Sequence, residues 1–121
     1  MAERRKFMRF NTDLPIEYNT GDKKSAKGVC RGTNVSREGL MIRAGRAIKK
    51  GVELNLRMII SESKSVIMAQ GTVVWSAAAN GMKDKKDYEA GVKLTKIDSF
   101  DRACLLEYAY DNWLDEVSKK K

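Results

Sequence analysis

The sequence predicts a mainly β domain, a six-stranded antiparallel β-barrel followed by a C-terminal α-helix. Apolar and polar residues alternate with a period of two in several runs, and clusters of turn-forming residues separate these runs at hairpin spacing. The C-terminal stretch changes to helical spacing instead. A chain of 121 residues, 42% hydrophobic and 33% charged, suits one domain with a real core. A small barrel with a helix over its end or flank accommodates all of these elements.

The strands are predicted from the alternation within each run. Residues 14–19 alternate strictly, and Pro15, the single proline of the chain, suits a first or edge strand. The polar residues 11–13 before this run are predicted to be a short linker. Gly71 is predicted to mark a bulge or bend. The remaining strands are expected at about residues 26–35, 40–43, 52–60, 66–75 and 88–94.

The C-terminal helix is expected over about residues 99–118. Asp98 or Ser99 can cap its first turn. The apolar residues at helical spacing, which are expected to face the core, are Ala103, Leu106, Tyr110, Trp113 and Val117. The chain is therefore predicted to consist of a flexible basic arm, residues 1–13, and one barrel domain with its helix, residues 14–121.

Composition argues against catalysis and against a metal site. Histidine is absent, which removes the commonest general base and the commonest metal ligand, and no pair of carboxylates stands out by its spacing. Cys30 and Cys104 are too few and too far apart for a disulfide framework or a zinc site, so both are expected to be reduced thiols. We therefore expect no enzymatic activity, no cofactor and no metal.

Charge and hydropathy limit where the protein is expected to be located and what kind of partner it is expected to bind. No run approaches the ~18 apolar residues of a membrane helix, and the N-terminus lacks the apolar segment of a signal peptide. We expect a cytoplasmic protein. The formal net charge of +8 favours an anionic partner, and charge alone leaves nucleic acid, a phosphorylated small molecule and an acidic protein face open.

Two short segments concentrate the residues that suit an anionic ligand. Within Arg4–Phe10, four cations are interleaved with aromatic residues, and arginine can both grip an oxyanion and stack on a base. Asn34–Gly39 has the composition of a tight turn, with Gly39 expected at a positive φ. The same turn suits a small anion site, because an amide addresses a base edge, a hydroxyl donates to phosphate and glycine permits close approach.

Taken together, the two segments resemble the signature of the PilZ domain family, R-x-x-x-R followed by [D/N]-x-S-x-x-G. Arg5–Arg9 and Asn34–Gly39 carry this signature, and Gly71–Trp75 and Glu89–Leu94 look like the family's later strands. The likeness covers nearly the whole chain. It implies a six-stranded split barrel and a bacterial receptor for the second messenger cyclic di-GMP, which carries two guanines and two phosphates.

The resemblance also implies which residues bind the ligand. Arg5 and Arg9 would clamp phosphates and guanine edges, and Arg4 would add a third cation, because a guanidinium matches guanine O6 and N7 and stacks flat on a purine. Ordering of this arm by a dianionic ligand is expected to act as a switch, since like charges keep the empty arm mobile. Phe7, Met8 and Phe10 would then pack or face a partner.

The turn would supply the remaining contacts. Ser36 would bond a phosphate or sugar oxygen, and Gly39 would hold the turn open. Asn34 would face the Watson–Crick edge of one guanine, where many relatives have Asp, whose carboxylate accepts two hydrogen bonds from the base. Trp75 would flank the ligand at the mouth of the barrel. One or two bound ligands are both compatible with these residues.

Since no second domain is expected in this sequence, the signal would pass to a downstream protein partner or change self-association. Two alternatives stay open. A PilZ-like protein-interaction module without nucleotide binding should lack the arginines or the Asn/Ser/Gly turn, and this chain has both. A basic nucleic-acid-binding β-barrel needs a row of exposed aromatics on its strands as a stacking platform, which the scattered aromatics do not supply, so nucleic acid is disfavoured.

Overall fold

A computed structural model of the chain describes residues 9–20, 27–60, 65–78 and 87–119. Antiparallel strands close into a barrel in the order β1-β2-β3-β6-β5-β4, and a helix follows the last strand. The predicted fold class is confirmed. The elements are β1 Arg9–Thr20, β2 Lys27–Ser36, β3 Gly39–Ala44, β4 Glu53–Ile60, β5 Ser65–Ala78, β6 Tyr88–Ile97 and α1 Ser99–Lys119.

The core lies inside the barrel and is built by the alternation seen in the sequence. In β4 the four inward residues are buried while the residues between them are exposed or half-buried, because successive side chains of a strand point to opposite faces. The largest fully buried side chains come from five of the six strands and from the helix: Leu14, Ile16, Val35, Ile42, Leu54, Leu56, Met58, Ile67, Val73 and Leu105. The outer face of the same strands carries polar residues together with exposed apolar side chains such as Val29 and Met68.

The first strand begins earlier than the sequence predicted. The predicted linker at residues 11–13 is wrong, because β1 already pairs with β2 from Arg9 onward, with Arg9 opposite Ser36. Because the side chains of this stretch are polar, its hydropathy pattern does not predict a strand. Backbone pairing does not depend on those side chains. An irregularity between Asn11 and Leu14 resets the register. The bend predicted at Gly71 is confirmed as a register shift between Gln70 and Gly71.

The helix α1 packs mainly against β1. Asp98 is its N-cap: a carboxylate oxygen of Asp98 accepts a hydrogen bond from the backbone N–H of Phe100 at 3.0 Å. The predicted core stripe is wrong in part, because Ala103 is exposed and the buried positions are Leu105 and Ala109. The side chain of Val117 lies outside the described residues. No helix in the described part of the chain has the length and apolar character that a membrane span requires.

Three aromatic rings connect the start of β1 to the middle of α1. The ring of Phe10 meets Tyr110 edge-on, with centroids 5.5 Å apart, and lies 5.8 Å from the ring of Trp113. Tyr110 and Trp113 are also 5.8 Å apart. Pairs of this kind contribute about 0.5–1.5 kcal/mol each beyond their buried area. The residue next to Arg9 is therefore held by the helix, while Phe7 and Met8 lie outside the described residues.

Candidate ligand-binding site

The arginine segment is only partly within the described structure. Arg4 and Arg5 lie outside the described residues, and Arg9 is described by its backbone alone. That backbone nevertheless fixes where the segment reaches the barrel. Arg9 is the first residue of β1 and is paired with Ser36, the last residue of β2. The chain that carries the arginines therefore arrives beside the Asn34–Gly39 turn.

Strand register brings two of the predicted site residues into one line on the outside of the barrel. Asn34 pairs with Asn11 of β1 and with Met41 of β3, Met41 pairs with Gly91 of β6, and Gly91 pairs with Trp75 of β5. Their neighbours along each strand include the inward residues Val35, Leu40 and Val92, so the line faces outward. We call it the outer row, comprising Asn11, Asn34, Met41, Gly91 and Trp75.

A second line lies next to the outer row, at the end of the hairpin. Arg9 pairs with Ser36, the chain turns through residues 37–38, Gly39 pairs with Lys93, and Lys93 pairs with Thr72. We call these residues the turn row. The two rows together hold every described position that the sequence predicted for the site.

The side-chain amide of Asn34 is only half hydrogen-bonded within the described residues. Its Nδ2 donates to Oδ1 of Asn11 at 3.3 Å. Its own Oδ1 is buried, and no donor among the described residues hydrogen-bonds to it. A buried acceptor without a partner costs free energy. A donor supplied by a ligand on the outer row would satisfy this oxygen once its covering neighbours move aside.

Ser36 is held inside the turn. Its side chain is buried, with 6% relative exposure, and its hydroxyl donates to the backbone carbonyl of Gly39 at 3.4 Å. This hydrogen bond is long, so exchanging it for one to a charged oxygen costs little. The hydroxyl of Ser36 thus connects the two ends of the turn, and it could donate to a ligand oxygen in place of the Gly39 carbonyl.

Gly39 is required for packing rather than for an unusual dihedral. The predicted positive φ is wrong: among the described glycines, only Gly51 has one, at 92°. A Cβ on Gly39 would overlap the carbonyl oxygen of Val92 and lie 3.1 Å from the carbonyl carbon. The backbone N–H of Leu94 donates to the carbonyl of Glu38 at 2.9 Å. Because the turn lies this close to β6, no side chain fits at residue 39.

Trp75 lies across another glycine. A Cβ on Gly91 would overlap the indole Nε1 of Trp75 and lie 2.7 Å from ring carbons Cδ1 and Cε2. The Trp75 side chain is 40% exposed, so one part of the ring covers the β6 backbone and another part faces solvent. An exposed indole held in this way offers a flat apolar shelf on which a base can stack.

Between the turn and this shelf is a cleft of about 220 Å³. Its lining includes three of the predicted residues, Ser36, Gly39 and Trp75, together with Glu38 and Lys93. A space of this size suits one phosphate or part of one base and leaves most of a dinucleotide on the open face. Asn34 does not line the cleft but lies next to it on the outer row.

The family model of the PilZ domain matches residues 3–111. The chain belongs to the PilZ domain family. The resemblance seen in the two motifs is thereby confirmed, and the match includes Arg4 and Arg5 as well as the barrel. Comparison with curated protein sequences finds no significant match.

Solved structures of similar fold include a PilZ domain. The PilZ domain of YcgR from Escherichia coli, solved with c-di-GMP, has a TM-score of 0.77 at 12% identity, covering 98% of both chains. MotI/DgrA of Bacillus subtilis, an inhibitor of motility, has a TM-score of 0.73 at 17% identity, covering 94% of this chain and 53% of its own. MrkH of K. pneumonia has a TM-score of 0.71 at 14% identity, covering 100% of this chain and 56% of its own. This PilZ chain thus spans about half the length of MotI and MrkH.

Sequence reasoning missed Met41, Gly91 and Lys93 as members of this face of the PilZ barrel. Each has an unremarkable place in its own strand, and only the pairing of β3 with β6 brings it beside the turn. The Glu89–Leu94 segment, singled out for its likeness to a family strand, contained two of them. The missing information was the register between strands about 50 residues apart.

Larger depressions lie elsewhere on the described part of the barrel, including three with volumes of about 750, 460 and 440 Å³. These three share no lining residue with the cleft. The largest of them includes Cys30, where burial raises the pKa of the thiol to about 12, so that it stays protonated at neutral pH and is a poor nucleophile. Both thiols are free, as predicted. Volume alone therefore does not identify the site, since a sheet face can bind a flat ligand without a deep cavity.

Proposed function

We propose that this PilZ domain is a bacterial receptor for cyclic di-GMP. The observation that carries the proposal is the convergence of the Ser36–Gly39 turn, the Trp75 shelf and the start of the arginine segment on one outer face. The solved YcgR PilZ domain, which has the same fold, contains this ligand. An anionic dinucleotide also accords with the net charge of +8.

The chemistry of each group matches a part of the ligand. Arg4, Arg5 and Arg9 grip the phosphates and the guanine edges, because guanidinium groups make paired, charge-assisted hydrogen bonds to both. Ser36 exchanges its bond to Gly39 for one to a phosphate oxygen. Trp75 provides the stacking surface for a base.

Asn34 reads guanine through its unpaired Oδ1, which accepts from N1–H or N2–H of the base. An adenine presents no N–H at position 1 or position 2, so this oxygen loses that partner and the wrong base would bind more weakly. The amide oxygen of Asn34 thus adds to the discrimination that the arginines make at guanine O6 and N7.

Signalling follows from ordering of the segment that precedes β1. Pairing the arginines with a dianion offsets most of their like charge and allows the arm to fold across the barrel. The newly formed surface, which includes Phe7 and Met8, is then presented to a downstream partner protein.

Titration calorimetry with cyclic di-GMP tests the proposal, with cyclic di-AMP as a ligand of equal charge and a different base. Saturable binding of the guanine ligand at one or two molecules per chain, and much weaker binding of the adenine ligand, are expected. Absence of both heat and a thermal shift with cyclic di-GMP would overturn the proposal. Equal affinity for the two ligands would remove the role of Asn34 in reading the base.

Replacing Asn34 with aspartate is expected to strengthen binding about fivefold. A carboxylate accepts hydrogen bonds from both guanine N–H groups, and charge-assisted bonds add about 1 kcal/mol over neutral ones. The amide of Asn11 can rotate so that its NH₂ group faces the new carboxylate in place of the bond seen now. Calorimetric affinities of Asn34→Asp and the parent chain measure the effect.

The matched control is Asn55→Asp, which adds the same charge on β4, outside the two rows. Asn55 is also half-buried and also bonds to a neighbouring amide, donating to Oδ1 of Asn19 at 2.8 Å. Asn55→Asp should leave the affinity for cyclic di-GMP unchanged or lower it slightly. If Asn55→Asp and Asn34→Asp shift the affinity equally, Asn34 does not contact the guanine.

A further inference from the structure

Lys93 is placed by β6 at the edge of the cleft. It pairs with Gly39 on one side and with Thr72 on the other. Its neighbours Val92 and Leu94 are buried, whereas Lys93 is exposed, so its side chain faces outward onto the turn row. With strands about 4.8 Å apart, Lys93 is one strand from the turn, and Arg9 lies on the other side of the same hairpin.

The position of Lys93 relative to the turn is fixed by backbone contacts. The hydrogen bond from the N–H of Leu94 to the carbonyl of Glu38 ties β6 to the turn. The close approach of Gly39 to Val92 leaves no gap between them. A cation at residue 93 therefore has the Ser36 hydroxyl and the cleft within reach of its flexible stem.

Lys93 also differs from the arginines around the barrel. Ion pairs within the described residues include Arg31–Asp13, Arg43–Glu89 and Arg57–Glu17. Lys93 takes part in none of these. The other charged residue that lines the cleft is Glu38, whose like charge would oppose an anionic ligand. A cation beside it offsets that repulsion.

We infer that Lys93 is a ligand-contacting residue that binds a phosphate of the dinucleotide from the β6 side, opposite the arginine segment. This inference rests on the proposed function. A lysine ammonium is a compact point charge with three donors, which suits a phosphate oxygen better than the planar edge of a base. The ligand would then lie between cations on both sides of the Ser36–Gly39 turn, with Trp75 under one base.

Calorimetric titration of Lys93→Met and Lys96→Met with cyclic di-GMP tests this inference. Both substitutions remove one exposed cation from β6, but Lys96 pairs with Gln70 and does not line the cleft. We expect Lys93→Met to raise the Kd about fivefold to tenfold, because a charge-assisted hydrogen bond is lost. Lys96→Met should change the Kd less than twofold, and Lys93→Arg should retain most of the affinity. Thermal unfolding should be unchanged in all three.

The phosphorus resonances of the bound ligand provide the second measurement. Loss of the ammonium should shift a ³¹P signal in Lys93→Met but not in Lys96→Met. A Kd for Lys93→Met equal to that of Lys96→Met would overturn the inference while leaving the receptor function in place. A weakened Kd with unchanged ³¹P signals would exclude the phosphate contact. Failure of the parent chain to bind would overturn both proposals together.

Discussion

Arg9→Ala is expected to weaken cyclic di-GMP binding by about 30-fold or more, the largest effect on affinity of any single substitution considered. Hydrogen bonds to charged groups contribute about 1.5–3 kcal/mol, and each 1.4 kcal/mol is tenfold in Kd. Arg9 begins β1 opposite Ser36, so its Cα is held at the turn and its backbone needs no ordering when the ligand binds. Titration calorimetry measures the loss.

Arg46→Ala is the control for this substitution. It removes the same charge from an exposed residue in the connection between β3 and β4, and it should bind nearly as the parent chain does. Arg9→Lys should be intermediate, because it keeps the charge and loses the planar fork. If Arg9→Ala and Arg46→Ala bind equally well, Arg9 does not contact the ligand.

Anchoring of Phe10 explains why Arg9 and the residues before it should behave differently. Phe10 is held by the rings of Tyr110 and Trp113, and its backbone pairs with Val35 in the barrel wall. The sequence-based expectation was that Phe10 would pack only when the ligand orders the arm. Since Phe10 already packs on α1, a switch in this protein would be confined to the residues before Arg9, with Arg9 as the fixed end of the segment that moves.

The strands were predictable where side-chain alternation reports burial. Runs such as Glu53–Ile60 alternate so regularly that one face must be the core. The start of β1 was not predictable, because Asn11 and Asp13 carry polar side chains outward, where they contact Asn34 and Arg31 of β2. Hydropathy contains no information about such a stretch.

The candidate site was predictable where its residues belong to a segment that resembles the family. The motifs identified Asn34, Ser36 and Gly39 together, but the reason for glycine at residue 39 is a carbonyl group of β6, more than 50 residues later. A local reading attributes that glycine to turn dihedrals, which the structure shows to be ordinary. Lys93 was missed for the same reason, since its role depends on register and not on its neighbours.

Gly39→Ala is expected to destabilise the fold by about 2–3 kcal/mol, which corresponds to a fall in Tm of about 10 °C for a domain of this size. The new methyl group would overlap the carbonyl oxygen of Val92, a backbone atom that cannot rotate away. Relief requires the turn to move off β6, which stretches the hydrogen bond between Leu94 and Glu38. Thermal and denaturant unfolding measure the change.

Gly45→Ala separates this clash from the general effect of replacing glycine. Gly45 has no positive φ, and its added Cβ would have no atom within 4 Å, so the substitution should be neutral or slightly stabilising. Gly39→Ala should also weaken cyclic di-GMP binding at temperatures where the variant is fully folded, because movement of the turn displaces Ser36 and opens the cleft. If Gly39→Ala has the same Tm as the parent chain, the turn can move away from β6 without a loss of stability. The contact between Gly39 and Val92 would then not position the site.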